Sequence, residues 1–255
     1  QQLSSPIRHM WWVQLYGANG NARWSPINLG DLGGPTTPMA VHLRQDDAFI
    51  VVSGGSVQLY NEWGVPEGPQ QLAMTDMVNT SSGPQFRLAA DAHDYVTLLW
   101  VAQGEVPPPP NLPLYQLKYR RLQPDAVLWG PVLDYGGGFE QDALADFDLA
   151  VTRDGMPLIL TVASPLVPGS PGIRLDPIGA VDATSGTFAV GANADVAVDD
   201  QDNVIVVYEG DDTSPGNNND SSDVYFKRFA IDGTPIGGRT LASTERDFRS
   251  IYAPI

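Results

Sequence analysis

The chain has 255 residues, a formal net charge of −16 and no cysteine. An acidic balance of that size disfavours nucleic acid and anionic membrane surfaces as partners, because both demand a basic footprint. No apolar run approaches the ~18 residues of a membrane-spanning helix, and thiol catalysis and cysteine-held metals are excluded.

In chain order, Trp12-Val13-Gln14-Leu15-Tyr16 is the first strand-like run. The turn residues Gly17-Ala18-Asn19-Gly20 follow, then Trp24-Ser25-Pro26-Ile27-Asn28-Leu29. Proline there marks an outermost strand, since it donates nothing to a ladder. Met39-Ala40-Val41-His42-Leu43 opens a unit that returns at intervals of about 45–50 residues. Its first strands continue at 87–90, 148–151, 195–198 and 249–252. After four of them comes a turn of Asp, Asn or Gly, at 45–47, 91–94, 153–155 and 199–203. These residues accept positive φ or bond their own backbone. Each turn leads into a strongly apolar run, at 49–52, 95–101, 158–162 and 204–208, predicted as a buried second strand. Third strands, with polar and apolar residues alternating, fall at 57–60, 117–121, 173–175 and 225–229, and 129–133 is a further outermost strand.

A four-stranded unit at this period predicts an all-β fold, a five-bladed β-propeller of four-stranded blades. The blades fall at 38–73, 86–133, 146–190 and 194–243, with a closing blade shared between the termini, 246–255 plus 1–30. One propeller domain then accounts for 1–255. The closing blade shows no clear second strand, although 4–10 is available for it. The rival is a fragment of a larger array, cut inside a blade.

In a propeller the first strands line a central channel. Connections from first to second and third to fourth strand are short here. Those from second to third and fourth to first are long: 31–37, 75–85, 101–113, 134–145, 164–172 and 209–222. Long loops on a rigid scaffold are where binding concentrates. Four features on that edge bear on function. Residues 209–223 are rich in oxygen ligands, with Asp211, Asp212, Asn219, Asp220 and Asp223 as a Ca²⁺ candidate set, although the spacing is not that of an EF-hand; a solvated loop is the plainer expectation. Pro107-Pro108-Pro109-Pro110 favours polyproline II, as a stiff loop or a docking segment. Tyr135-Gly136-Gly137-Gly138-Phe139 places two aromatics around a glycine hinge, suited to stacking on a sugar or to lid motion. Asp146, Asp148, Asp195 and Asp247 are channel carboxylates. A carboxylate pair is the chemistry of glycoside hydrolysis, which makes Asp148 and Asp195 the catalytic alternative. Yet these two share one repeat position with Arg87 and Arg249, which reads as an alternating ring of ion pairs. His9, His42 and His93 fall in unrelated contexts, so no zinc site is expected.

The repeat resembles one found in secreted bacterial β-propeller proteins. The matching residues are 198–203, Tyr208, Lys227-Arg228-Phe229 and Ile231-Asp232-Gly233-Thr234-Pro235-Ile236-Gly237, with weaker matches at 18–21 and 118–121. The unit at 146–190 departs most, with Pro177-Ile178-Gly179 in place of the turn. The resemblance implies an extracellular, periplasmic or cell-surface binding or assembly module. The start at Gln1 fits a processed secreted chain, and a chain of this length needs no disulfide to hold its core. The expected partner is a protein or a glycan, with no nucleic acid and no membrane insertion. Binding is expected at Tyr135, Phe139, Asp146, Asp148, Asp195, Arg87 and Arg249. No catalysis and no cofactor is expected, Ca²⁺ apart. A permanent subunit of a larger complex would instead show an apolar patch near Trp11, Trp12 and Trp63.

Overall fold

The computed structural model describes residues 10–17, 19–30, 39–80, 83–84, 86–104, 114–123, 130–140, 144–163, 173–182, 194–210 and 223–242. Among them every regular element is a β-strand. β1 (Trp11–Val13) and β2 (Ile27–Gly30) form a two-stranded antiparallel sheet. β3 (Met39–Leu43), β4 (Phe49–Ser53), β5 (Ser56–Tyr60) and β6 (Pro66–Leu72) form a four-stranded meander in chain order. A two-stranded hairpin, β7 (Asn79–Thr80) and β8 (Gly83–Pro84), precedes the next meander. That one comprises β9 (Phe86–Ala90), β10 (Val96–Gln103), β11 (Leu114–Leu122) and β12 (Leu133–Glu140). Then come β13 (Leu144–Val151), β14 (Pro157–Ala163), β15 (Ile173–Asp176) and β16 (Gly179–Asp182). β17 (Ala194–Val198), β18 (Val204–Gly210), β19 (Asp223–Phe229) and β20 (Thr240–Leu241) complete the order. The all-β expectation and the four-stranded repeat are therefore observed. The residues assigned to closing the ring, 1–9 and 246–255, lie outside the described residues.

The chain clusters into two compact units, one of residues 1–88, 98–103 and 117–135, the other of 89–97, 104–116 and 136–255. In the first, the β1–β2 sheet packs on the β3–β6 sheet. Trp11, Val13, Trp24, Ile27 and Leu29 meet Phe49, Val51 and Tyr60. Trp24, Phe49 and Tyr60 stack, with ring centroids 5.9 Å and then 4.8 Å apart. In the second unit, Ala150, Leu158, Leu160, Ile173 and Leu175 of β13–β15 meet Ala194, Val196, Val204, Val206, Tyr208 and Phe229 of β17–β19. The two interfaces use the same positions. Phe49 pairs with Tyr60 as Val204 pairs with Phe229, so Phe49, Val51 and Tyr60 correspond to Val204, Val206 and Phe229. β4 and β10 are buried on both faces, and that is why they read as unbroken apolar runs.

Among the described residues one turn recurs seven times, at residues 17–21, 44–48, 61–65, 91–95, 152–156, 199–203 and 230–234. The first residue's N–H donates to the fifth residue's carbonyl, and the fourth residue's N–H donates to the first residue's carbonyl, as in Asp199 N to Asn203 O and Asp202 N to Asp199 O, both 3.0 Å. The fourth residue always has positive φ: Gly20, Asp47, Gly64, Asp94, Gly155, Asp202 and Gly233. This is the three-residue hairpin loop with a left-handed residue and bulge, and it explains why only Gly or Asp occupies that place. The first or third residue supplies an acceptor for the loop's own amides. Asp91 takes His93 N at 2.8 Å and Tyr95 N at 3.0 Å, and Thr152 Oγ1 takes Met156 N at 3.0 Å. β15 and β16 depart as expected, joined tightly through Pro177-Ile178 with a cis Asp176–Pro177 bond.

One expected long connection differs, and one second-to-third connection outside that set is short. Residues 134–145 are mostly strand: β12 runs through the three glycines to Glu140 and β13 starts at Leu144. The ladder offered by β11 supplies the backbone partners that a glycine run lacks by itself, so no hinge loop exists there. Secondly, β4 and β5 join through Gly54-Gly55 alone, both with positive φ, as a two-residue hairpin requires.

Candidate functional site

A four-stranded meander places its first-to-second and third-to-fourth turns on one edge. Each of the seven capped turns makes a connection of this kind within its own sheet. Their amides are satisfied internally, and their carboxylates are held by those amides. Asp199 shows it best: its carboxyl lies below the ordinary aspartate range, chiefly because the Asn203 side chain donates to it at 2.8 Å, with the Asn203 and Gln201 amides adding to this. Asp232 is lowered likewise, chiefly by the Thr234 amide at 2.9 Å. These acids are committed to the loops that contain them. β10, β14 and β18 end on the opposite edge, and the connections that follow them, 105–113, 164–172 and 211–222, lie outside the described residues.

Of the carboxylates expected to line a channel, Asp146, Asp148 and Asp195 lie on first strands. Asp146 and Asp148 are two apart on β13 and so share a face. Asp146 accepts the Phe147 N–H at 2.8 Å. Asp148 Oδ2 accepts the Val196 N–H at 2.9 Å, from β17 of the following sheet. β17 has a strand neighbour on only one side, so half of its amides face away from its ladder. Asp148 caps one of those amides and ties two sheets together one repeat apart. Asp202 does the same at the turns, accepting the Arg153 N–H at 2.8 Å. Asp195, Asp148's repeat equivalent, is exposed on β17. Arg87 on β9 donates through Nη1 to the Phe86 carbonyl at 3.2 Å. Tyr135 is half-buried on β12, an outermost strand, while Arg87, Asp146, Asp148 and Asp195 sit on first strands, so the expected set falls on different layers of the sheets.

Several expected residues carry no side-chain description. Arg249, Asp211, Asp212, Asn219, Asp220 and Asp247 lie outside the described residues, as does 107–110. Phe139 and Asp223 are placed only as strand backbone, Asp223 pairing with Gly210. Among the described residues no three His, Cys, Asp or Glu side chains are grouped to hold a metal.

Other polar contacts surface only in three dimensions. Arg174 grips Asp176 through Nε and Nη2, with Nε 2.9 Å from both carboxylate oxygens. Arg239 lies 3.9 Å over the Tyr225 ring. Arg23 pairs with Asp47 and Arg44 with Asp46 at the turn edge. The aromatic patch resolves into two kinds of residue. Trp11 packs into the core beside Phe49, whereas Trp12 and Trp63 are 56% and 71% exposed. Trp12 was legible, because strand alternation puts it opposite Trp11 and Val13.

No family model matches the chain, and no curated protein matches it.

Proposed function

We propose that the chain is a secreted or cell-surface five-bladed β-propeller acting as a non-catalytic binding or assembly module, whose long-connection edge engages a protein or a glycan. The observation that carries this reading is the set of short loops, within each unit, that close the first-to-second and third-to-fourth connections by their own hydrogen bonds. The long connections of the sequence fall between other strand pairs, and binding residues favour such segments on rigid frames. The capture of Val196 N–H by Asp148 supports the same reading, because it gives the best-placed channel carboxylate an architectural duty. The propeller itself is supported by four meanders of one design and by sheet interfaces that repeat the same positions.

The test is loop exchange. Residues 105–112 and 212–220 are replaced with short Gly/Ser linkers, separately and together. Circular dichroism and unfolding midpoint are expected to be retained, while binding to the protein that co-purifies with the native chain, or to glycans on an array, is expected to fall at least tenfold. Retained binding by the double exchange refutes the long-edge reading. Hydrolysis of a glycoside panel that disappears in both Asp148→Asn and Asp195→Asn would replace it with the glycosidase alternative.

Trp63 favours a second reading, a permanent subunit docked through the turn edge. It occupies the third place of its turn, where the other six copies carry Asn19, Asp46, His93, Asp154, Gln201 and Asp232. Nothing in the turn's hydrogen bonds requires an indole there.

A further inference from the structure

The capped turns divide by which residue supplies the acceptor. In turns 17–21, 44–48 and 230–234 it is the third: Asn19, Asp46 and Asp232 take the fifth residue's amide at 3.0, 3.2 and 2.9 Å. In the other four turns Asn61, Asp91, Thr152 and Asp199 take that amide from the first place. A first-place acceptor releases the third side chain from any duty in its loop. The residues so released are Trp63, His93, Asp154 and Gln201. Trp63 is the one large apolar side chain among them, and it is 71% exposed. Its surroundings point to a cation. Elsewhere the chain lays cations of its own on aromatic rings, Arg239 3.9 Å over Tyr225 and Lys227 5.3 Å over Phe229. Tryptophan is the strongest ring for this contact, yet among the described residues no cation lies on Trp63. The arginines beside the first unit's other two capped turns are committed, Arg23 to Asp47 and Arg44 to Asp46. Glu62, next to the indole in sequence, is exposed and in no ion pair among the described residues.

Resting on the subunit reading of this turn, we propose that Trp63 and Glu62 form the docking point for an arginine of a protein partner. The guanidinium lies flat on the indole, and the Glu62 carboxylate answers its charge. Arginine suits the place because its planar, weakly hydrated cation stacks on aromatic faces. The overall charge of −16 favours a basic partner in the same sense. A second copy of the chain is the poorer occupant. Copies of this charge repel one another, and a two-fold contact at this turn would bring Glu62 toward its own equivalent.

The nitrogen-15-labelled full chain reads the site through its indole N–H signals. It has six tryptophans, and the signal missing from Trp63→Phe is that of Trp63. The probes are the peptide acetyl-Gly-Arg-Gly-Arg-Gly-amide and its citrulline twin, which keeps the shape and loses the charge. At low salt the Trp63 signal is expected to report about two- to fivefold tighter binding of the arginine peptide, the range of an exposed cation–π contact. Glu62→Gln is expected to weaken the arginine peptide about twofold and leave the citrulline peptide unchanged. Equal response to both peptides overturns the proposal in favour of a neutral ligand such as a glycan. A Trp63 signal that answers neither peptide overturns it as well. A dimer of the chain alone that dissociates in Trp63→Phe overturns it in favour of a second copy. Docking itself is checked separately, by N-bromosuccinimide oxidation of Trp63 in the native complex and in the isolated chain, mapped by mass spectrometry. Protection in the complex without arginine preference refutes the cation and leaves the subunit reading standing. Equal oxidation, or a native chain that sediments as a free monomer, refutes the docking and the proposal with it.

Discussion

Replacing Asp148 with alanine tests whether the first-strand acids serve the architecture. The Val196 amide belongs to a buried residue and donates to a charged acceptor at 2.9 Å. Hydrogen bonds to charged groups contribute about 1.5–3 kcal/mol, and a buried donor left without a partner costs about 1–3 kcal/mol. Asp148→Ala is therefore expected to cost about 2 kcal/mol. For a chain of this size that lowers the melting temperature by about 4–8 °C. Asp148→Asn keeps an acceptor oxygen but loses the charge, and neutral bonds are roughly half as strong, so about half the loss is expected. Differential scanning calorimetry at pH 7 reads both. If Asp148→Ala stays within about 0.5 kcal/mol of wild type, the ordinary spread of inconsequential surface changes, the tie between the sheets contributes nothing. If Asn is as damaging as Ala, the charge matters and the acceptor geometry does not.

Three further outcomes follow from the turns and the exposed strands. Asp202→Ala and Asp202→Gly both lose the bond to Arg153 N, but φ at this residue is 59°, so Ala is expected to fall below Gly by about 1 kcal/mol in chemical unfolding. Gly155→Ala, at φ 83°, is expected to cost a similar ~1 kcal/mol, read the same way. Asp199 has a folded pKa below its unfolded value, so its contribution is complete above pH ~4 and disappears as pH falls through the lower folded value. Acid unfolding of Asp199→Ala should accordingly converge on wild type at the acid end and separate from it above about pH 4; curves separated by a constant gap would refute that linkage.

Much of the architecture was readable because each turn records its own geometry. A place that needs positive φ admits Gly or Asp and little else, so the hairpins marked their own spacing, and β3 falls at the predicted 39–43. The second strands β4 and β10 announced themselves by being buried on both faces. Residues 134–140 were misread because three consecutive glycines suggest a hinge, and only the neighbouring strand makes them a ladder. Asp148 shows the other boundary of legibility. Its repeat position was visible, but its partner is a backbone amide, and amides look alike in every sequence. The Trp11 and Trp12 pair was separable by alternation alone.

Trp63 is where the repeat argument points toward function. A residue that recurs in register is explained by the fold, as Asp148 and Asp202 are; one that breaks the register asks for another cause. The third place of the turn is filled six times by a polar side chain and once by an indole that is 71% exposed. The turn around it is intact without the ring: Asn61 Oδ1 accepts the Trp63 and Val65 amides at 3.1 and 2.9 Å, and these are backbone donors. Val65 beside it is exposed too, and Gly64 sits so close to Ile27 that a Cβ there would strike that side chain. The loop is thus held in place while its ring faces outward. Trp63→Asp restores the residue type found at this place in other copies. It is expected to leave the unfolding free energy within about 0.5 kcal/mol of wild type, and to weaken self-association or partner binding through the turn edge in sedimentation. A loss of stability beyond about 1 kcal/mol would instead place the indole in the packing of the first unit, and the turn edge would then carry no docking role.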